Sequence, residues 1–495
     1  MNALLIYPEC PDTFWSFKHA LKFLGKKAGS PPLGLLTVAA MLPKEWHKRL
    51  VDMQVTKLTD GDLAWADIAM VSAMAVQLES AKRVIVRCRR AGVRIVAGGP
   101  LFTIEPGLFP EVDHFVLNEA EVTLPSFLAD LERGCPKPVY TRSEFASMAD
   151  TPVPLWELAD LRQYGWMSLQ YSRGCPFQCD FCNVTSLFGH RLRAKSSAQV
   201  LAELDALYSQ GWRSSVFFVD DNFIGNRQWL KTDLLPALIQ WQRGKCVPFQ
   251  TQVSINLADD DVLMRLMVEA GFQMVFVGIE TPSADALAEC HKKQNEGRDL
   301  VADVKRLQRA GLHVQGGFIL GFDSDTPSIF QQQIDFIQSS GIVMAMVGLL
   351  QAIPGTGLHE RLSREGRVTE QLSSGDNVDG TTNIVPRMGL EGLREGYKQV
   401  LRHIYAPKHY YGRLKTFLRE YRRPAVTEKV RAGHLWAFFR SCVRLGIIGR
   451  ERWQYWKLLA WTCARRPELF TLAVTLAIMG HHCRKVCRLH VLKRA

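Results

Sequence analysis

The chain has 495 residues, of which 47% are hydrophobic, so it is long enough for two to four domains with substantial cores. Its formal net charge is +12, yet residues 388–495 alone carry 23 Lys and Arg against 6 Asp and Glu. Twelve cysteines, of which only one group is closely and regularly spaced, exclude a disulfide scaffold and favour a reducing cytoplasm.

Residues 1–120 alternate short β-rich runs with helical stretches. The first ten residues favour a strand over a signal peptide, and five such runs predict a doubly wound parallel sheet: 3–8, 49–53, 68–74, 94–100 and 114–120. Ligands of such sheets bind beyond the carboxyl ends of the strands. Gly98 and Gly99 lie at one such end and would let a large ligand approach the backbone, although a simple tight turn would by itself explain the glycines. Ser72, in the third of these runs, is a further candidate contact for such a ligand.

A second alternating series follows an irregular connector, residues 141–165. Its strand candidates are 167–173, 214–220, 248–256, 274–281, 313–321 and 344–353. Six βα units favour an incomplete (β/α)6 barrel over residues 166–370, with its active site at the carboxyl ends of the strands.

Residues 371–495 lose the β-rich runs and predict helices with breaks near Pro467 and Gly480. Their longest apolar stretch, 469–480, is shorter than the roughly 20 residues that span a bilayer. The basic segment could meet an anionic membrane surface, a nucleic acid or an acidic protein, or it could be a set of solvated helices.

Three cysteines, Cys175, Cys179 and Cys182, follow the first barrel strand with C-x3-C-x2-C spacing. A structural zinc site needs four protein ligands, and only His190 lies nearby. A [4Fe–4S] cluster also normally takes four thiolates, so three would leave one iron open to an exogenous ligand. This motif resembles that of the radical S-adenosylmethionine (SAM) enzymes. The resemblance implies that the open iron binds the amino and carboxylate groups of SAM, whose cleavage yields a 5′-deoxyadenosyl radical.

The same resemblance implies roles for further residues around the barrel. Phe181 would flank the adenine, Asp220 and Asp221 would contact the methionyl or ribose groups, and Glu280 would accept a ribose hydroxyl. The glycines of "GFILGF", Gly317 and Gly321, would admit the adenine ring; Arg193 and Lys195 are candidates to neutralise the SAM carboxylate.

The N-terminal region resembles the Rossmann-like cobalamin domain of one class of radical SAM enzymes, through "PPLGLLTVAAML", "IVAGGP" and "VLNEAEVTLPSFLADL". Many such domains carry D-x-H-x-x-G after the second strand, with a histidine ligand to cobalt. Here Asp52 is kept but Gln54 stands where the histidine would be. We therefore expect cobalamin without a histidine ligand from this loop, or a vestigial domain. The resemblance covers domains at 1–140, 166–370 and 371–495, the last a helical domain of unassigned role.

The function expected from this resemblance is cobalamin-dependent methylation of an unactivated carbon in a small-molecule or lipid substrate. The alternatives are a non-methylating radical enzyme, a tRNA methylthiotransferase-like enzyme and a non-enzymatic cobalamin or redox sensor. The methylthiotransferase role is disfavoured because the upstream Cys10, Cys88 and Cys135 form no second motif.

The expected partners are an electron donor such as flavodoxin or ferredoxin and, through peripheral contact of the C-terminal domain, a membrane surface. Nucleic acid is not expected. The basic C-terminal segment, with Trp436, Trp453, Trp456 and Trp461, suggests a cytoplasmic enzyme with peripheral membrane contact, although packing between helices is the more usual role of such tryptophans.

Overall fold

The computed structural model describes residues 1–369, 374–376, 378–426 and 431–492. Its N-terminal part is a six-stranded parallel sheet in the order β2-β1-β3-β4-β5-β6. The strands are β1 Asn2–Tyr7, β2 His47–Asp52, β3 Ile68–Ser72, β4 Arg94–Gly98, β5 His114–Val116 and β6 Val139–Tyr140. The predicted doubly wound sheet is thereby confirmed, with the short β6 as an addition from a stretch that carries no periodic signal.

Helices cover both faces of this sheet, because strands that are buried on both sides need apolar partners on each. They are α2 Leu33–Met41, α3 Asp60–Trp65, α4 Leu78–Arg90, α5 Pro100–Ile104 and α6 Ala120–Glu132. The first helix of the chain, α1 Lys18–Leu24, instead belongs to the apolar core that the barrel shares with the C-terminal helices. Two apolar clusters flank the sheet, one centred on Val84 and Ile85 of α4 and the other on Leu124 and Phe127 of α6.

The second sheet has six parallel strands in strict chain order and is the predicted partial (β/α)6 barrel. Its strands are β7 Met167–Leu169, β10 Val216–Phe218, β11 Phe249–Val253, β12 Phe272–Glu280, β13 His313–Leu320 and β14 Ala345–Leu349. A two-stranded antiparallel ribbon, β8 Ser172–Arg173 with β9 Arg193–Ala194, closes the ends of the cysteine loop.

The larger barrel helices pack on the outer face of this sheet: α8 Ser197–Ser209, α10 Leu235–Trp241, α11 Asp261–Glu269, α13 Leu300–Ala310 and α14 Ile329–Ser340. The short α9 Arg227–Trp229 precedes α10. Three others, α7 Val184–Phe188, α12 Ala284–Glu289 and α15 Gly357–Arg364, lie beside the loop that carries the three cysteines.

The C-terminal part is helical, as predicted, and shares a single apolar core with the barrel helices and the N-terminal segment around Phe14 and Phe17. Its helices are α16 Leu390–Tyr405, α17 Pro407–Glu420, α18 Ala432–Ser441 with a π-helical extension to Ile448, α19 Arg452–Arg465 and α20 Phe470–Val486. No described helix is both long and apolar enough to cross a membrane.

One of the two predicted breaks in this region is wrong. The chain does break at Pro467, which begins a short 3-10 turn, but α20 runs through Gly480 without interruption. The Tyr410 ring packs there so closely that a Cβ on residue 480 would lie 2.3 Å from it. Gly480 therefore serves helix packing, which outweighs the low helix propensity of glycine.

Candidate active site

The cysteine loop leaves the carboxyl end of β7 and returns through β9. Cys175, Cys179 and Cys182 are all free and half-buried, and Cys182 N–H donates to the carbonyl of Cys179 (3.1 Å) in a tight turn. Gly174 has φ +96°, and a Cβ there would meet the carbonyl of Arg191 at 2.7 Å, so this position demands glycine. The loop is thus pinched at its base and presents its thiols at the carboxyl edge of the sheet.

The donor set fits an iron–sulfur cluster better than a single metal ion. Among the described residues, no three His, Cys, Asp or Glu side chains are gathered as closely as one metal ion requires. A [4Fe–4S] cluster needs no such gathering, because each thiolate binds a different iron. Gln294 Nε2 points at Cys179 Sγ (3.7 Å), a donor of the kind that tunes sulfur ligands.

Asp220 anchors the strand that leads into this loop. It is fully buried, and its carboxylate accepts hydrogen bonds from the backbone N–H of Tyr171 (3.1 Å) and from the N–H and hydroxyl of Ser172. Burial raises the pKa of Asp220 to about 6, and burial together with Asp220 raises that of Asp221 to about 7. Asp220 therefore has a structural role of its own; its contact with SAM, like that of Asp221, stays a prediction.

Glu280 occupies a strained position at the end of β12. It has φ +64° at a register shift of the ladder, a conformation that costs a non-glycine residue about 1–3 kcal/mol. Its Oε1 accepts from Lys292 Nζ (2.6 Å), and this nearly buried ion pair is the clearest polar feature beside the loop. Burial alone would lower the pKa of Lys292, but Glu280 and Cys179 raise it above its ordinary value.

Phe181 and Lys292 join the cysteine loop to this ion pair. Lys292 Nζ lies 5.9 Å from the centre of the Phe181 ring, and Phe181 packs edge-on against Phe322 (6.4 Å). The aromatic ring, the ion pair and the thiols thus share one edge of the barrel sheet.

The two glycines of "GFILGF" differ in what surrounds them. Gly317 pairs with Gly278 on the neighbouring strand, and a Cβ on it would meet the Phe276 ring at 2.7 Å. Gly321 has φ +107°, and the space beside it is filled by Leu393 of α16. The backbone turn and this packing explain Gly321 without a ligand; an adenine contact at either glycine stays a prediction.

Arg193 and Lys195, the candidate partners of the SAM carboxylate, already have buried carboxylate partners within the protein. Arg193 Nη1 donates to Glu119 Oε2 (2.8 Å), and Lys195 Nζ pairs with Glu203 inside the barrel wall. These ion pairs offset both charges and count against a contact with SAM, which stays a prediction.

Arg173 and Arg193, which flank the cysteine loop, are both held by the N-terminal domain. Arg173 reaches Glu119 and Glu121 at the start of α6 with two N–O distances of 2.8 Å. Burial alone would raise the pKa of Glu121, but Arg173 keeps it below its ordinary value. We name Arg173, Arg193, Glu119 and Glu121 the interdomain clamp. It ties the base of the cysteine loop to the domain that carries the second candidate site.

That second site lies at the carboxyl edge of the N-terminal sheet. Ser72 and Gly98 are paired across β3 and β4, Gly99 has φ +91°, and a Cβ on Gly99 would lie 2.4 Å from Ser72 Oγ. The turn and the close packing against Ser72 and the Val116 carbonyl explain both glycines by themselves, so a cobalamin contact at Ser72, Gly98 or Gly99 stays a prediction. At the end of β2, the outermost strand on the far side of β1, Asp52 is buried and accepts from Tyr164 OH (2.9 Å) and from Gln54 N–H (3.0 Å).

Several residues of the site carry no short-range signal in the sequence. Glu119 and Glu121 are more than 50 positions before Arg173, and Lys292 is 12 positions after Glu280. The paired acids of "NEAE" were visible as a pattern, but only the folded chain shows which cations they meet.

Three family models match the chain in series. The B12 binding domain matches residues 27–128, the radical SAM superfamily matches residues 169–337, and a domain of unknown function, DUF4070, matches residues 356–494.

An uncharacterized methyltransferase of Synechocystis sp. is 37% identical over 97% of this chain and 91% of its own length. The hopanoid C-2 methylase of Rhodopseudomonas palustris is 37% identical over 76% of this chain and 72% of its own. Among solved structures, the cobalamin-dependent SAM radical enzyme OxsB, determined with aqua-cobalamin and SAM bound, superposes on this chain with a TM-score of 0.62. The superposition covers 99% of this chain and 81% of OxsB at 14% sequence identity, which shows a shared fold.

The chain belongs to the radical SAM superfamily, in the group that carries an N-terminal B12 binding domain and a C-terminal DUF4070 domain. It is a radical SAM enzyme, and the cofactors of its class are a [4Fe–4S] cluster, SAM and cobalamin. The expected family, fold class and cofactors are confirmed.

Proposed function

We propose that this enzyme transfers a methyl group to an unactivated carbon of a lipid or natural-product substrate. The observation that carries the proposal is the interdomain clamp, in which the cysteine loop of one cofactor domain is bonded directly to the other. A reaction that uses two cofactors on one substrate needs both held at a constant separation. The relative named as a hopanoid C-2 methylase supports a lipid as the substrate class.

Cys175, Cys179 and Cys182 would hold the cluster and leave one iron open for SAM. When bound, the cluster and SAM supply a radical that removes a substrate hydrogen, and cobalamin supplies the methyl group. Phe181 would pack on the adenine, and Glu280 with Lys292 would orient polar groups of SAM through charge-assisted hydrogen bonds. At the other cofactor, Ser72, Gly98 and Gly99 would border the corrin ring, with Gln54 in place of a histidine ligand.

The substrate would lie against the inner face of the barrel sheet. On β12, Val275, Val277 and Ile279 are fully buried, so alternation places the half-buried Phe276 on the opposite, inner face. Trp15 of the N-terminal segment meets Phe276 edge-on at 5.1 Å and is 40% exposed. These two rings offer apolar surface of the kind that a lipid skeleton would cover, and they exclude water from the reacting carbon.

A one-electron donor of the flavodoxin or ferredoxin type would serve as the reductant. The proposal is tested by anaerobic reconstitution with iron, sulfide and cobalamin, followed by incubation with SAM, reductant and candidate lipids, with 5′-deoxyadenosine and methylated product measured. We expect both products and two SAM consumed per methylation. Release of 5′-deoxyadenosine without methylated product would instead indicate a non-methylating radical enzyme, and absence of both would indicate a sensor.

Cys179→Ala should abolish 5′-deoxyadenosine formation and lower the iron content. Cys88→Ala is the matched control, because Cys88 is a free, buried cysteine in the core of the N-terminal domain, away from the motif. Equal iron and equal turnover in the two variants would contradict the assignment of the cluster ligands.

A further inference from the structure

The hairpin formed by α18 and α19 leaves a row of large apolar side chains in solvent. We name this row the apolar stripe; its members are 59–69% exposed: Leu435, Trp436, Phe439, Ile447, Ile448 and Trp453. Elsewhere among the described residues, exposed large apolar side chains reach at most 53% and are dispersed over the molecule. Leu435 and Phe439 are four residues apart on α18 and therefore lie on the same side of that helix, and Ile447 and Ile448 end its π-helical extension.

The stripe is held in place by contacts on its inner side, so its exposure is not a consequence of loose packing. Trp456 Nε1 donates to the carbonyl of Gly446 (2.9 Å), and the hydroxyls of Ser441 and Tyr455 are hydrogen-bonded at 2.7 Å. At the turn, Glu451 pairs with Arg484 of α20 (2.8 Å). The hairpin therefore presents its apolar side chains from a rigid base.

The polar surroundings of the stripe carry one sign of charge. Residues 431–450 contain four arginines and neither Asp nor Glu. Beside the stripe lies a cavity of about 290 Å³, lined mainly by cationic and imidazole side chains: His19, Lys22, Arg440, Arg444, His481 and Lys485. Burial and the neighbouring cations Lys22 and Arg444 lower the pKa of Lys485. We name this space the cationic cavity.

The acidic residues nearest to the cavity are already engaged. Asp12 pairs with Lys18 (2.9 Å), and Glu451 pairs with Arg484 and His481. Arg440 is turned toward the end of α1, where it donates to the carbonyls of Lys22 and Phe23. Lys22, Arg444 and Lys485 thus remain as the cations that would meet an anion from outside.

We infer that this face docks the enzyme on a bilayer that contains anionic lipids, with the apolar stripe at the acyl boundary and a lipid phosphate in the cationic cavity. Exposed Trp, Phe and Leu on one face with basic residues beside them is the composition of interfacial helices. A nucleic acid is the poorer match, because three of the six stripe residues, Leu435, Ile447 and Ile448, are aliphatic and offer no ring on which bases stack. The inference deepens the proposed function, since it explains how a lipid substrate would reach the site.

The test is flotation of the full-length protein with vesicles of phosphatidylcholine alone or with 30% phosphatidylglycerol, which needs no turnover and is thus independent of the proposed reaction. We expect recovery with the anionic vesicles only. The triple variant W436S/I447S/I448S should bind about 100-fold more weakly, and R444Q/K485Q about 30-fold more weakly. Trp229→Ser is the matched control for the stripe, because Trp229 is 50% exposed on the distant barrel surface.

Equal flotation of the wild type and the stripe variant would overturn the inference, and so would vesicle binding that survives unchanged in R444Q/K485Q. The inference would also be overturned if the wild type were a dimer in the absence of vesicles and the stripe variant were a monomer. It would likewise be overturned if inorganic phosphate, at the same concentration as the lipid phosphate groups, released the wild-type protein from the vesicles. Tighter binding to single-stranded DNA than to anionic vesicles would assign the face to nucleic acid instead. Circular dichroism of each variant verifies that it is folded.

Discussion

Arg173, two residues before the first cluster cysteine, is bonded to the buried Glu119 of the N-terminal domain with an N–O distance of 2.8 Å. The same carboxylate also accepts from Arg193 and from the backbone N–H of Ala146 (2.7 Å). One glutamate therefore organises both ends of the cysteine loop from across the domain boundary.

Glu119→Gln should lower the free energy of unfolding by about 3 kcal/mol, because it leaves two buried guanidinium groups short of a charged partner. It should also lower the iron retained per chain after reconstitution, since both ends of the cysteine loop lose their support. Urea unfolding and iron analysis measure the two effects. Glu111→Gln, on the exposed surface of the same domain, is the control. An unchanged unfolding midpoint would show that the interdomain clamp does not stabilise the fold.

Lys292→Met should raise the KM for SAM about 10–100-fold, the cost of one charge-assisted hydrogen bond, while the iron content stays at the wild-type value. A merely structural ion pair would lower stability without changing that KM. Lys231→Met is the matched control, because Lys231 forms an ion pair of the same length with Asp260 (2.6 Å) far from the cysteine loop. Similar KM values in both variants would refute a role of Lys292 in binding SAM.

Gly99→Ala should reduce the cobalamin bound per chain at least about tenfold, because its φ of +91° and the 2.4 Å approach to Ser72 Oγ leave no room for a Cβ. The absorbance of the purified protein measures bound cobalamin, and iron content serves as an internal standard. Gly107→Ala, where a Cβ would meet nothing within 4 Å, is the control. Full cobalamin loading of Gly99→Ala would locate the corrin ring elsewhere.

Gln54→His should introduce an axial nitrogen to cobalt that the wild-type loop lacks. The electron paramagnetic resonance spectrum of the cob(II) form should then show nitrogen splitting from the protein in the variant and none in the wild type. Gln54→Asn is the control. Protein-derived nitrogen splitting in the wild type would mean that another histidine ligates cobalt.

Glu451→Gln tests the anchor of the α18–α19 hairpin through pH. Burial alone would raise the pKa of Glu451, but His481 and Arg484 lower it to about 2, from an ordinary 4.5. Because the folded pKa is the lower one, the carboxylate stabilises the fold above pH 4.5, by about 3 kcal/mol, and this stabilisation is lost as the pH falls toward 2. The variant should be less stable at pH 7 and should lose that part of the acid dependence, measured by urea unfolding from pH 3 to 7.

The exposed Glu391→Gln should change neither quantity. Parallel pH profiles of the wild type and Glu451→Gln would contradict the assigned ion pairs.

The sequence by itself determined the two alternating βα series, the helical C-terminal part and the three-cysteine motif. These features depend on local periodicity and on short spacing between residues, both of which can be read directly from the sequence. The sequence also determined that Gln54 stands where many cobalamin domains have a histidine, because this requires only the identity of one residue and not the position of its loop. Gly480 shows the limit of such reasoning, because a distant tyrosine decides whether that glycine ends the helix.

Only the tertiary structure decided which charges meet. Arg193 and Lys195 look like free cations beside the loop, yet each is bound to a buried carboxylate, Glu119 from another domain and Glu203 from the next helix. The apolar stripe likewise depends on which side of α18 the core covers. Ion pairing and burial are set by long-range proximity, which periodicity and spacing along the chain do not encode.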